Sequence, residues 1–145
     1  MPYRTLRKRV EHQKILTAAP PKTSIREAAR LMKQTKVGAL LVVENGHLVG
    51  IFTERDALVR VLAEGLDPET TPLAAVMTLD PITVHPDQPF VSALHLMYEN
   101  GFRHVPVVEN GRPLRMVSAR DALDLEAAEF EATLHQREHL RAILA

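Results

Sequence analysis

The pentapeptide Val-Val-Glu-Asn-Gly occurs at residues 42–46 and again at 107–111, and this recurrence constrains the fold more than any other feature of the chain. Shifting the sequence on itself by 65 residues extends the match without a gap: Pro21 falls on Pro86, Ala28 on Ala93, Leu31-Met32 on Leu96-Met97, and Arg55-Asp56-Ala57-Leu58 on Arg120-Asp121-Ala122-Leu123. A unit of roughly 60 residues buries too little surface to be comfortable alone. Two such units are therefore expected to share one core, with a cleft at their seam.

Each repeat reads as strand, helix, strand, strand, helix. In the first, Ile15-Leu16-Thr17-Ala18 has strand character and stops at Pro20-Pro21. Thr23 or Ser24 then caps a helix whose apolar face is Ile25, Ala28, Ala29, Leu31 and Met32, and which ends near Lys36. Ala39–Val43 is an apolar run of strand length, turned by Asn45-Gly46 into Leu48–Phe52. Asn-Gly between two such runs predicts a hairpin, because both turn positions need positive φ. A second helix is expected from Thr53 to about Glu64, followed by a linker rich in turn formers from Gly65 to Pro72.

The second repeat retraces this order with a strand at Ile82-Thr83-Val84, a helix over Phe90–Asn100, a hairpin about Asn110-Gly111 and a helix from Ser118. That last helix does not stop: from Asp121 to Ala145 there is no Gly or Pro, and Leu123, Ala127, Phe130 and Leu134 form a stripe expected to bury itself against a partner. The boundaries that follow are 10–71 and 72–127 for the two units and 128–145 for a helical extension.

Composition removes several function classes. The 18 basic and 18 acidic residues argue against a chain built to wrap duplex nucleic acid, and the absence of cysteine excludes disulfides, thiolate metal sites and cysteine catalysis. With aromatics at 4% and no Trp, a base-stacking platform is not expected either. No run approaches the ~18 apolar residues of a membrane span and the start shows no signal core, so a cytoplasmic protein is expected.

Each hairpin is followed by a hydroxyl residue and, three positions later, an aspartate: Thr53-Glu54-Arg55-Asp56 and Ser118-Ala119-Arg120-Asp121. One reading is a helix cap with an acid in the first turn. The other is a nucleoside site, since a carboxylate accepts from the two vicinal hydroxyls of a ribose. Gly50 would then let a planar base approach the backbone.

The helix, Gly101-Phe102-Arg103-His104-Val105-Pro106-Val107-Val108, the hairpin and the hydroxyl-x-x-Asp, in tandem with Val76-Met77-Thr78 opening the second half, resemble the cystathionine-β-synthase (CBS) domain family over roughly residues 10–127. The resemblance implies an α/β fold of two CBS motifs packed pseudo-symmetrically, a Bateman module, here with a long C-terminal helix. It implies a stand-alone regulatory module, not an enzyme, with no catalytic residue, metal or required cofactor. Its ligand would be an adenosine-containing molecule (AMP, ADP, ATP, S-adenosylmethionine or NAD, with AMP or ATP foremost). A homodimer and a separate regulated protein are also implied.

Carried over by motif, a first site would hold ribose with Thr53 and Asp56 and phosphate with Arg103 and His104, while Ile51 and the segment Pro81-Ile82-Thr83 flank the adenine. A second site would use Ser118 and Asp121. There the partner positions are the uncharged Gly38 and Ala39, and Arg115 replaces the counterpart of Gly50. The expectation is a first site for phosphorylated ligand and a second that is empty, weaker or selective for a nucleoside without phosphate. The alternative is an interaction or scaffolding module with vestigial sites, acting through its dimer surface and long helix.

Two further motifs carry possible chemistry. His135-Gln136-Arg137-Glu138-His139 matches the H-x-x-E-H string of zinc peptidases, but no third ligand is evident and only six residues follow. Arg4, Arg7, Lys8 and Arg9 form a basic cluster that reads as a solvated terminus, with nucleic acid or anionic lipid as the sharper reading.

Overall fold

The fold comes from a computed structural model that describes residues 5–7 and 16–144, with side chains given for all of these except 122–131. The first motif is a four-stranded sheet. Strand β1 (Ala18–Ala19) lies parallel to β2 (Ala39–Glu44), which pairs antiparallel with β3 (His47–Thr53), and β3 in turn with β4 (Thr78–Leu79). Helix α1 (Ile25–Thr35) connects β1 to β2. Ser24 caps it by accepting from the Glu27 amide, and Lys36 closes it in the left-handed conformation at φ 56°. Its inward residues are Ile25, Ala28 and Met32, packed with Leu40, Val42 and Phe52, whereas Ala29 of the expected apolar face is exposed.

The second motif holds helix α3 (Phe90–Asn100) and the hairpin of β5 (His104–Glu109) and β6 (Arg112–Ser118). The duplication reaches atomic register. Leu40 faces Phe52 where Val105 faces Val117, Val42 faces Gly50 where Val107 faces Arg115, and both hairpins carry an irregularity one residue later. Asn45 and Gly46 have φ of 52° and 78°, Asn110 and Gly111 of 54° and 77°, as Asn-Gly hairpin turns require. The motifs meet hairpin to hairpin, where the Leu48 amide donates to the Gly111 carbonyl at 2.9 Å.

Three expected elements differ. The opening strand forms at Ala18–Ala19, not Ile15–Ala18; Ile15 lies outside the described residues, and Thr17 contributes its carbonyl to the Leu41 amide. Ile82–Val84 is not a strand. Only Val84 bridges to Val107, in the same parallel register as Ala19 to Val42, while the chain before it pairs with β3 as β4. Pro81 has no N–H to extend that ladder, and Asp80 turns the chain at φ 45°. The helix expected over residues 53–64 is a short α2 (Glu54–Asp56) that widens into a π-helix over Ala57–Leu62, with the Ala63 amide donating to the Leu58 carbonyl. Arg60 fastens the wide turn by donating to the Val76 carbonyl at 3.1 Å.

Helix α4 (Ala119–Leu144) runs without a break, as the sequence predicts. Of its expected stripe, the side chains of Leu123, Ala127 and Phe130 lie outside the described set, and Leu134 is exposed. No described helix is long and apolar enough to cross a membrane.

Candidate functional site

Two clefts open between the motifs. The first, about 540 Å³, is bounded on one side by Ile51, Thr53 and Asp56 and on the other by Arg103 and His104, with Pro81 and Ile82 along its edge. Seven of the eight residues expected there are therefore in one cavity. Thr83 is the exception: it is exposed and lines neither cleft, because Val84 beyond it is drawn into the second core.

Thr53 and Asp56 cap the helix as expected and also line the cleft. The Asp56 amide donates to the Thr53 hydroxyl at 3.2 Å, and the Thr53 amide donates to Asp56 Oδ2 at 2.9 Å, a reciprocal capping box. Those bonds fix the carboxylate, whose Oδ1 stands 3.5 Å from the Arg60 guanidinium. Oδ1 is thus the oxygen that the capping box leaves out.

The second cleft, about 1050 Å³, is the first moved by 65 residues: Met116 stands for Ile51, Ser118 for Thr53, Asp121 for Asp56, and Leu16 and Thr17 for Pro81 and Ile82. Asp121 Oδ2 accepts from the Ser118 amide at 2.7 Å and lies 3.2 Å from its hydroxyl. Arg115 is buried, donates to the Met116 carbonyl, and approaches Asp121 Oδ1 at 3.8 Å. Gly38 and Ala39 line this cleft without charge, as the sequence reads, but Lys33 and Lys36 at the end of α1 bring cations that the motif comparison missed. The usable signal was position: Lys36 falls on Gly101, which lines the first cleft. Thr78 and Asp80 of the first cleft escape the sequence reading, which has no strand between Val76-Met77-Thr78 and Ile82.

Gly50 answers to packing, not to a base. A Cβ there would come within 2.6 Å of Met77 Sδ and 3.0 Å of the Thr78 carbonyl, so glycine lets β4 lie against β3. At Gly38 a Cβ would come within 3.0 Å of Glu54 Oε1 and 3.5 Å of His104 Cε1. Glu54, Arg103 and His104 line both clefts and form the wall between them.

Burial pushes the His104 imidazole below its ordinary value; Glu54 and Asp121 oppose that shift and Arg103 adds to it. The fold thus favours neutral His104. Since the unfolded chain protonates near 6.5, it binds more protons than the folded chain just below that pH, and stability falls as pH drops through about 6.5 toward the depressed folded value. In urea titrations between pH 7.5 and 5.5, His104→Gln is expected to flatten this loss; an unchanged slope would remove His104 as its source.

His135 and His139 are exposed on α4. Among the described residues the one set of metal-ligating groups within mutual reach is His85, Asp87 and Glu109. Arg7 bonds both of its carboxylates and the His85 Nδ1 accepts from the Asp87 amide, so the cluster is an ion-pair network.

The CBS domain family profile matches twice, over residues 11–63 and 73–128. The chain belongs to the CBS domain family. CBS domain-containing protein CBSCBSPB5 of Arabidopsis thaliana is 38% identical over 136 residues, 93% of this chain but 25% of that protein, so the chain spans about a quarter of that relative. Among solved structures, the CBS domain pair of protein MJ0100, in complex with 5′-methylthioadenosine and S-adenosyl-L-methionine, superposes with TM-score 0.78 at 27% identity, over 88% of this chain and 99% of that one. CBS domain protein PAE2072 from Pyrobaculum aerophilum, complexed with AMP, gives TM-score 0.71 at 30% identity, over 83% and 97%. The CBS chain described here thus shares its paired-motif architecture with proteins that hold adenosine compounds.

Proposed function

We propose that this CBS pair is a regulatory module that binds adenosine-containing ligands in the clefts between its motifs and signals through the relative orientation of the two. The observation that carries the reading is the recurrence of one lining at both clefts, with a hydroxyl-x-x-Asp from one motif facing the approach to the core strand of the other. A ligand held by both motifs favours the orientation in which both can reach it, and a partner reads that population. The structure neighbours that hold AMP, 5′-methylthioadenosine and S-adenosylmethionine support the ligand class. Isothermal titration of the full chain with adenosine, AMP, ATP, S-adenosylmethionine and NAD tests it. Saturable binding of at least one is expected, and no binding by any would sink the reading.

A homodimer belongs to the same proposal. Leu58, Val59 and Leu62 stand exposed on the π-helix, Leu62 at 72%, and Leu140, Ile143 and Leu144 on α4. That much exposed apolar surface also favours the second reading, an interaction module acting without ligand.

A further inference from the structure

The two clefts carry opposite charge, and from this we infer that they divide the adenosine ligands by phosphate content: the second is the site for a nucleoside di- or triphosphate, and the first for an adenosyl compound without phosphate. The inference rests on the ligand class proposed above. Among the described residues, the acids lining the first cleft are Glu54, Asp56 and Asp80, against the guanidinium groups of Arg55 and Arg103. Those lining the second are Glu54 and Asp121, against Lys33, Lys36, Arg103, Arg115 and Arg120.

Arg115 and Asp121 are drawn together at 3.8 Å and largely offset one another. The remaining excess in the second cleft comes from two lysines on α1, Arg103 ahead of β5 and Arg120 at the start of α4, three elements that converge on one cavity. Each added phosphate brings negative charge and several acceptor oxygens, which Lys meets as a point charge and Arg as a bidentate fork. With Asp56 paired to Arg60 as Asp121 is to Arg115, a triphosphate entering the first cleft would still meet Glu54 and Asp80 against Arg55 and Arg103, with no excess of cations. The larger volume, about 1050 Å³ against about 540 Å³, fits the longer ligand as well. The expected allocation is thus the reverse of the one drawn from Gly38, Ala39 and Arg115 in the sequence.

The test is calorimetric titration of the full chain with ATP and with adenosine, for wild type and for the double variant Lys33→Gln, Lys36→Asn. Asparagine keeps the left-handed helix cap that Lys36 provides. The double variant is expected to bind ATP about tenfold more weakly, with a shallower salt dependence, while adenosine affinity stays within twofold. Inorganic tripolyphosphate is expected to compete with ATP and not with adenosine. An ATP affinity unchanged within twofold, a parallel loss of adenosine, or displacement of adenosine by tripolyphosphate each overturns the division. If wild type binds adenosine but not ATP, the division alone falls; if it binds neither, the division falls, and the underlying ligand reading falls with it only when AMP, S-adenosylmethionine and NAD also fail to bind.

Discussion

Asp56→Ala is expected to weaken adenosine binding by roughly 10- to 150-fold, because a hydrogen bond to a charged group is worth about 1.5–3 kcal/mol and about 1.4 kcal/mol is a factor of ten. The same carboxylate also caps α2 through the Thr53 amide at 2.9 Å, so alanine removes two things at once. Loss of the cap alone costs roughly 1 kcal/mol of stability. Asp56→Asn separates the effects: its amide oxygen can still accept from the Thr53 amide, but the charge offered to a ribose hydroxyl is gone. A thermal melt near wild type with adenosine binding lost is the expected result for asparagine. Adenosine affinity within twofold of wild type in both variants would leave Asp56 as a cap and nothing more.

What the sequence discloses about this fold is what depends on neighbours in the chain. The Asn-Gly turns need positive φ at Asn45, Gly46, Asn110 and Gly111 and have it. The limits of α3 and the cap of α1 follow from local patterning and were legible for the same reason. The placement of the hydroxyl-x-x-Asp residues was legible too, because the duplication fixes their register: Thr53 and Asp56 line one cleft as Ser118 and Asp121 line the other.

Features that depend on what the chain packs against were not legible. Strand β4 exists because Gly50 leaves room for Met77 and Thr78, a contact between segments almost thirty residues apart, and reading Gly50 as an opening for a base missed it. Lys33 and Lys36 enter the second cleft because α1 ends there, whereas their sequence positions mark them only as basic residues near a helix terminus. Motif comparison looks at matched positions. Here the charge reaches the cleft from a neighbouring turn.

The amino terminus shows the same limit at its largest energetic scale. Its basic residues read as a solvated arm, and Arg4, Lys8 and Arg9 lie outside the described residues; Leu6 between them is fully buried in the second core beside Val84, Phe90 and Val105. The Leu6 amide donates to the Gln88 carbonyl at 3.1 Å and the Arg7 amide to the Pro86 carbonyl at 2.8 Å, while the Arg7 guanidinium meets Asp87 at 2.8 Å and Glu109 at 2.5 Å. Both a buried apolar side chain and a surface ion pair thus hold this segment, and magnitudes decide between them. Leu6→Ala is expected to cost about 2–5 kcal/mol, a fall in Tm on the order of 10 °C at roughly 2–4 °C per kcal/mol for a chain of this size. Arg7→Ala removes exposed pairs, which water and salt screen to a small part of the cost of emptying the core. Acid separates the two contributions. The Arg7 hydrogen bond holds the Asp87 carboxyl below its ordinary value, so the pair stabilises the fold above that ordinary value and the contribution is lost as pH falls through the lower, folded one. Urea titrations at pH 7 and near pH 3 are therefore expected to show the Arg7→Ala cost shrinking in acid while the Leu6→Ala cost persists. A Leu6→Ala cost below 1 kcal/mol, or one that vanishes in acid alongside that of Arg7→Ala, would return the terminus to the solvated arm its charges describe.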